Sequence, residues 1–119
     1  MKIAISTFGP SLDDRVDERF GRARFLLIVD ELTGAVEVLD NAANQEALQG
    51  AGLGAAEKVL ERGAGAVITG HLGPKAARAL HASGVEGYAG IGLTARQALE
   101  ARLSAPLARL NEGSSLKSP

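Results

Sequence analysis

The sequence predicts an α/β domain with a mixed five-stranded sheet, an antiparallel edge hairpin and helices on both faces. Two observations lead to this fold class. Short apolar segments rich in β-branched residues alternate along the chain with amphipathic segments of helical period. The chain also has 119 residues, of which 45% are apolar, and this is the size of one ordinary domain with its own core.

The first half of the chain predicts three strands. Residues 3–5 form a short apolar run that ends in the loop sequence Ser-Thr-Phe-Gly-Pro. Residues 25–30 form a continuous apolar run, which is typical of a buried strand. Residues 35–40 alternate between apolar and polar types, and Thr33-Gly34 supplies the turn that makes the two strands an antiparallel hairpin. Residues 11–24 are polar and aperiodic, and they predict a loop.

A helix follows this hairpin. Residues 41–54 predict a loop that runs into the helix, and Gly63 is its expected end. The apolar face predicted to point at the core consists of Leu53, Ala56, Val59 and Leu60.

The second half alternates strands and helices. Residues 66–69 and 85–89 predict short buried strands, and Pro74 at a first helical position begins a helix between them. Thr94 and Gln97 form a capping-box pattern that begins a last helix. Strands joined by one helix pair in parallel, and the first strand can join them, which produces the mixed sheet.

The predicted domain occupies residues 1–103, and residues 104–119 predict a loosely ordered C-terminal tail rich in Ser and Pro.

Composition excludes several classes of protein. The absence of cysteine excludes disulfides, thiolate nucleophiles, zinc fingers and Cys-ligated iron–sulfur sites. With 13 basic and 14 acidic residues, the chain lacks the basic surplus of a general nucleic-acid binder. It shows no signal-peptide pattern and no run near the ~20 apolar residues that a membrane span needs. We therefore expect a soluble, cytoplasmic domain without nucleic-acid or membrane partners.

Three glycine-bearing loops are expected at the carboxyl edge of the parallel strands, where open α/β sheets bind ligands. Glycine lets main-chain N–H groups approach a ligand, and helices that begin there direct positive dipole ends at it. We expect an anion site; the alternative is that these glycines only make tight turns. The candidate binding residues on these loops are Thr7, Gly9, Gly70, His71, Leu72, Gly73, Lys75, Gly90 and Gly92.

His71 directly follows a buried strand at the centre of this edge. A neutral imidazole there can ligate a metal or donate a hydrogen bond to an anion. The alternative is a loop histidine that makes one ordinary hydrogen bond. His81 lies within a helix, and we expect it at the surface. Lys75 can either reach an anion or stay solvated.

The segment 13–24 holds four of the nine arginines among four acidic residues. It predicts either a clamp that closes guanidinium groups over an anion or a self-neutralised surface loop. We favour the clamp for Arg19 or Arg22 and the neutralised loop for the acidic residues. Phe20 is expected to tuck the loop against the core.

Patterns of catalysis are missing. Residues 50–55 fit the G-x-G-x-x-A pattern of dinucleotide binders, but no acidic residue follows about twenty positions on, so helix-start packing explains them better. Ser6 and Thr7 have only His71 as a base, with no orienting acid. We therefore expect no enzyme. An enzyme acting on a phosphorylated or carboxylated substrate, with His71 as acid or base, is the least favoured alternative.

Two patterns stand out when these segments are combined. Residues 17–23 follow D-x-R-F-G-R-A, and residues 69–74 follow T-G-x-x-G-P. Together with residues 50–52 and 90–92, they resemble the dinitrogenase iron–molybdenum cofactor-binding family over residues 1–103. Members of that family carry or help build metal–sulfur clusters.

The resemblance implies a ribonuclease-H-like motif and non-enzymatic binding, storage or delivery of an anionic metal–sulfur cluster. A small stand-alone member of this type holds a molybdenum–copper sulfide cluster without covalent attachment, so we expect that cofactor first. An iron–molybdenum or iron–sulfur cluster is expected less, since the chain has no cysteine. His71 becomes the candidate metal ligand, and Arg19, Phe20 and Arg22 join the cluster-binding residues.

The resemblance also implies partners that donate or receive the cluster. We expect a monomer or a weak dimer, because strand 35–40 is a possible exposed sheet edge. The alternative function is a metal-free small-molecule sensor or a protein-interaction module of the same fold.

Overall fold

The computed structural model describes residues 1–104 and 108–110, which form a six-stranded mixed sheet with helices against both faces. The elements in chain order are β1 (Lys2–Thr7), β2 (Phe25–Asp30), β3 (Val36–Asp40), α1 (Ala42–Gln45), α2 (Ala51–Glu61), β4 (Ala64–Thr69), α3 (Pro74–Ala82), β5 (Glu86–Ala89), α4 (Ala95–Ser104) and β6 (Arg109–Leu110).

The sheet has the strand order β3-β2-β1-β4-β5-β6. β1, β4 and β5 are parallel, whereas β2 and β3 form an antiparallel hairpin beside β1. The predicted mixed sheet with its hairpin edge is therefore confirmed. Its parallel centre brings the carboxyl ends of β1, β4 and β5 to one edge. That this sheet is a ribonuclease-H-like motif stays a prediction.

The predicted count of five strands is wrong, because Arg109–Leu110 pairs antiparallel with β5 as a sixth strand. This strand lies within the stretch expected to be a loosely ordered tail. Leu110 is 1% exposed and belongs to the core beneath α2 and α3. A two-residue strand has no period that the sequence could display. The remainder of the expected tail, residues 105–107 and 111–119, lies outside the described residues.

Alternate residues of the strands supply two apolar cores, one on each face of the sheet. In β1, Ala4 faces α2 and α3, while Ile3 and Ile5 face α4. Ala95 and Ala98 of α4 complete the second core. Burial on both faces explains why the central strands are continuous apolar runs.

One predicted core position in α2 is wrong. Ala51, Ala55 and Val59 are buried and lie on one stripe of the helix. Leu53 is two residues from both Ala51 and Ala55, so it points away from that stripe and is 37% exposed. Gly63 follows the helix at φ +77°, as expected for its end.

Within the described chain, each helix is too short or too polar to cross a bilayer.

The packing of β6 predicts that Leu110→Ala destabilises the protein by about 2–5 kcal/mol, because a buried leucine leaves a cavity when truncated. Leu32, which is 87% exposed, supplies the control Leu32→Ala, expected to change stability by less than about 0.5 kcal/mol. Urea denaturation of both variants measures the difference. Equal stabilities would contradict the placement of Leu110 in the core.

Candidate functional site

The loop between β1 and β2 lies across the carboxyl edge of the sheet. Thr7 at the end of β1 forms an antiparallel bridge with Val16. Arg19 forms a parallel bridge with His71, which lies two residues after the end of β4. The structure therefore brings together the two segments that carry the sequence patterns, residues 17–23 and residues 69–74.

Buried polar groups fix this loop in place. Ser6 Oγ lies 2.7 Å from the main-chain oxygen of Asp17 and 2.6 Å from Thr69 Oγ1. The main-chain N–H of Asp17 donates to the oxygen of Ser6 at 2.8 Å. All three residues are buried, so each polar group needs a partner inside the protein, and the loop provides it.

Asp17 holds Arg19 at the edge of the sheet. One carboxylate oxygen of Asp17 accepts hydrogen bonds from Arg19 N at 3.0 Å and Nε at 3.1 Å, and the other accepts from Nη2 at 3.0 Å. These hydrogen bonds, and the charge of Asp17, raise the pKa of Arg19. The Asp17 side chain is 1% exposed and that of Arg19 is 55% exposed. The acidic partner is thus hidden, and the guanidinium faces solvent in a fixed position.

Phe20 and Gly21 press the same loop against α2. Phe20 is 2% exposed within the core, as predicted. A Cβ on Gly21 would lie only 2.4 Å from the main-chain N of Gly52 at the start of α2. Only glycine permits this approach of the two backbones.

The guanidinium of Arg22 is hydrogen-bonded to the main chain of the protein. Its Nη1 donates to the main-chain oxygen of Gln45 at 3.0 Å and to that of Ala47. These carbonyls end α1 and lead toward α2. Arg22 therefore braces the segment before α2 while its side chain also lines the cavity described next.

A cavity of about 330 Å³ opens between the loop from β1 to β2 (residues 8–24, here called the arginine loop), the β4–α3 turn and the start of α2. It has the size of a small-ligand pocket. Of the predicted site residues, it brings together Arg19, Phe20, Arg22, His71 and Gly73. We call it the basic cavity; its complete lining is Arg19, Phe20, Gly21, Arg22, Ala51, Gly52, His71, Gly73 and Ala76.

An adjoining cavity of about 380 Å³ is lined by the starts of the same two helices. Gly52, Gly73 and Ala76 line both cavities, so the two spaces meet there. Lys75, the remaining predicted basic residue, lines the adjoining cavity. Its complete lining is Gly50, Gly52, Leu53, Gly73, Pro74, Lys75, Ala76 and Arg78.

Two helices begin at these cavities without side-chain caps. The N-cap residues are Gly50 for α2 and Gly73 for α3, and neither first turn contains an acidic residue. Intrahelical bonding begins with Gly54 N to Gly50 O and Ala77 N to Gly73 O. The N–H groups before these have no partner within their helix, which favours an anion in front of them.

The start of α4 differs, although the sequence predicted it to face the same anion. Thr94 and Gln97 form the predicted capping box, with Gln97 N donating to Thr94 Oγ1 at 3.1 Å. The N–H of Ala95 donates to the oxygen of Asp14 at 2.9 Å. The arginine loop and the capping box therefore occupy these donors.

The third predicted glycine loop borders the β4–α3 turn but does not line either cavity. Gly90 N donates to Thr69 O at 2.8 Å, and Gly92 occupies a left-handed conformation at φ +85°. A Cβ on Gly70 would lie 2.4 Å from Glu18 Cβ, so this glycine permits the arginine loop to cross β4.

Three other predicted residues, Thr7, Gly9 and Leu72, also lie outside the lining. Thr7 is buried, and its Oγ1 donates to the oxygen of Gly9 at 2.8 Å. Leu72 is fully buried in the core and contacts the position of Gly87. These residues shape the ends of the strands behind the cavities.

The charged side chains that line the two cavities are all basic, although the whole chain has a net charge of −1. They are Arg19, Arg22, Lys75 and Arg78. Among the described residues, no three His, Asp or Glu side chains are grouped so that they could hold a metal ion. The arrangement therefore suits an anion, or a metal group that brings its own ligands, with His71 as the exposed imidazole beside it.

Sequence reasoning missed Ala51 and Gly52 as part of the site. The signal was the cluster of small residues at positions 50–55, which was interpreted as helix-start packing. The close approach to Gly21 confirms that packing, and the same small residues also form a wall of the cavity.

The pairing of Asp17 with Arg19 predicts that Asp17→Asn destabilises the protein by about 1–3 kcal/mol, because a buried acceptor of charge-assisted hydrogen bonds is weakened. Asp13→Asn is the control. Asp13 and Arg96 form an ion pair in which both side chains are exposed, so this substitution should not change the stability measurably. Chemical denaturation of the two variants makes the comparison. Equal effects would contradict an anchoring role for Asp17.

Comparison with known proteins places this geometry in a family. The model of the family described as "Dinitrogenase iron-molybdenum cofactor" matches residues 1–105. The apo form of the orange protein from Desulfovibrio gigas is similar, with 41% identity and a TM-score of 0.89 over 96% of each chain. A putative NifB protein from Thermotoga shares 30% identity, with a TM-score of 0.80 over 91% of each chain.

A search of the curated proteins finds no match. The family model nevertheless covers almost the whole described chain, and the similarity to the orange protein covers 96% of the sequence. The resemblance seen in the sequence is confirmed: the chain belongs to the dinitrogenase iron–molybdenum cofactor family.

Proposed function

We propose that the protein binds an anionic metal–sulfur cluster as cargo in the basic cavity, for storage or delivery and without catalysis. The observation that carries this proposal is the cavity itself, where two uncapped helix starts and an all-basic set of charged side chains meet. Membership of the family supports a metal–sulfur cluster as the class of cargo.

The donor set fits a cluster that arrives with its own sulfide ligands. The chain has no cysteine, so it supplies no thiolate to an iron–sulfur cluster. Main-chain N–H groups of α2 and α3 and the guanidinium of Arg19 offer hydrogen bonds and positive charge instead. Our proposal for the cargo is therefore a molybdenum–copper sulfide, ahead of an iron–molybdenum or iron–sulfur cluster.

Arg19 is suited to cluster binding because Asp17 already holds its side chain in position before the cluster binds. Its Nε and Nη2 are bonded to Asp17, which leaves Nη1 for the cargo. Binding then costs less side-chain entropy than with a free arginine. His71, joined to Arg19 through their main chains, is the proposed ligand for a metal at the rim of the cluster.

Delivery requires proteins that donate or receive the cargo, and we propose these as the partners. His71 and Arg19 are both exposed at the mouth of the cavity, where such a partner can reach the cluster. We also propose that the protein is a monomer or a weak dimer.

Cluster uptake tests the proposal directly. Apo-protein mixed with tetrathiomolybdate and copper should retain a visible absorption band and both metals after desalting. His71→Ala and Arg19→Ala should each weaken uptake by about tenfold or more, since each removes a charge-assisted hydrogen bond or a metal ligand.

The matched controls substitute the same two residue types, histidine and arginine, at positions outside the two cavities. His81→Ala and Arg96→Ala remove an exposed histidine and an exposed arginine away from the cavities, and they should bind like the wild type. If the wild type retains no metal, the proposed function is rejected in favour of a metal-free module. If the site and control variants behave alike, the assignment of His71 and Arg19 is rejected.

Electrostatic binding also predicts a strong dependence on salt. Raising the ionic strength from about 0.01 M to about 1 M shortens the Debye length from about 30 Å to about 3 Å. The affinity for the cluster should fall steadily across that range because the side chains of Arg19 and Lys75 are solvent-exposed. Titrations followed by visible absorption measure it, and a constant affinity would point to metal coordination alone.

A further inference from the structure

We infer that Gly52 and Gly73 determine the size of the guest, and that the site takes a polynuclear anion in preference to a single-centre anion. This inference rests on the proposed function and adds to it a selectivity. It begins from two glycines that the fold itself does not require.

Gly73 is the first of these. Its backbone angles, φ −69° and ψ 165°, are open to any residue. A Cβ placed there would meet nothing within 4 Å. Gly73 is also the N-cap of α3, where Ser, Asp or Asn would stabilise the helix by bonding its free N–H groups. Neither strain nor packing explains the missing side chain.

Gly52 is the second. It lies inside α2, where glycine is less favourable than alanine. A Cβ there would meet only Ala76 Cβ, at 3.5 Å, which is an ordinary contact. Stability alone would favour alanine at this position.

Other glycines near the site are different. A Cβ on Gly21 or on Gly70 would lie 2.4 Å from a neighbouring atom, so both are needed for packing. Close packing therefore accounts for Gly21 and Gly70, and it does not account for Gly52 and Gly73.

The location of Gly52 and Gly73 explains why both positions are glycine. Together with Ala76, they line both cavities and form the wall where the two spaces meet. A Cβ at 73 would meet no atom within 4 Å and one at 52 would meet only Ala76 Cβ, so a methyl group at either position would fill space beside this shared wall. Without it, one guest can contact Arg19 in the basic cavity and Lys75 in the adjoining cavity.

A small guest would gain little from this arrangement. The basic cavity alone is about 330 Å³, roughly ten times the volume of a water molecule in the liquid. A single-centre anion at one end contacts the basic side chains of one cavity only. A polynuclear anion extends past Gly52 and Gly73 and contacts the basic side chains of both cavities.

The test adds one methyl group at a time. Gly52→Ala and Gly73→Ala are compared with the wild type for binding of the copper–tetrathiomolybdate cluster and of tetrathiomolybdate without copper. We expect each variant to bind the cluster about tenfold more weakly, because the added methyl group occupies space that the cluster needs. Binding of tetrathiomolybdate alone should change by less than about threefold.

The melting temperature of the apo-protein provides a second readout. It should be unchanged or raised in both variants, since alanine suits both backbone conformations. Ala82→Ser, at the opposite end of α3 and exposed, is the control and should bind both probes like the wild type.

The outcomes separate this inference from the proposed function. If the wild type takes up no cluster, the proposed function fails and the inference fails with it. If the wild type takes up the cluster and both alanine variants bind it equally well, only the inference is overturned. A lower melting temperature in both variants, or an equal loss of both probes, also overturns it.

Discussion

A small set of buried polar groups determines where the arginine loop lies. Ser6 and Thr69 sit at the ends of two central strands, and both are inaccessible to water. The main chain of Asp17 supplies hydrogen-bonding partners to them, and the Asp17 carboxylate then has to be compensated by Arg19. With the loop held in this way, Phe20 enters the core and Arg19 faces the cavity. The shape and the charge of the site both follow from this requirement.

Helix capping decides which helix starts remain open to a ligand. α4 has a capping box in the sequence itself, and Thr94 and Gln97 form it in the structure. The same pattern was used in the sequence analysis only to predict where α4 begins. α2 and α3 begin after Gly50 and Gly73, which have no side chain to serve as a cap. The sequence therefore contained the information that favours the β4–α3 turn over the loop after β5.

The sequence predicted the five longer strands because their apolar runs and alternation reflect burial directly. It also predicted the meeting of Arg19 with His71, since both belong to segments at the same sheet edge. It did not predict the burial of Asp17, because that depends on Ser6 and Thr69, which are distant in the chain from each other. Leu110 was missed for a related reason: its burial comes from packing against β5 and the core, and its local sequence shows no period.

The two outer strands of the sheet are unequal. Within the described residues β6 has two residues, and such a short edge strand offers little main chain to a foreign strand. β3 has five residues and exposes Val36 and Val38, at 38% and 44%. Unwanted self-association by sheet extension therefore has its better template on the hairpin side. The charges of Glu37 and Asp40 on this strand oppose such pairing.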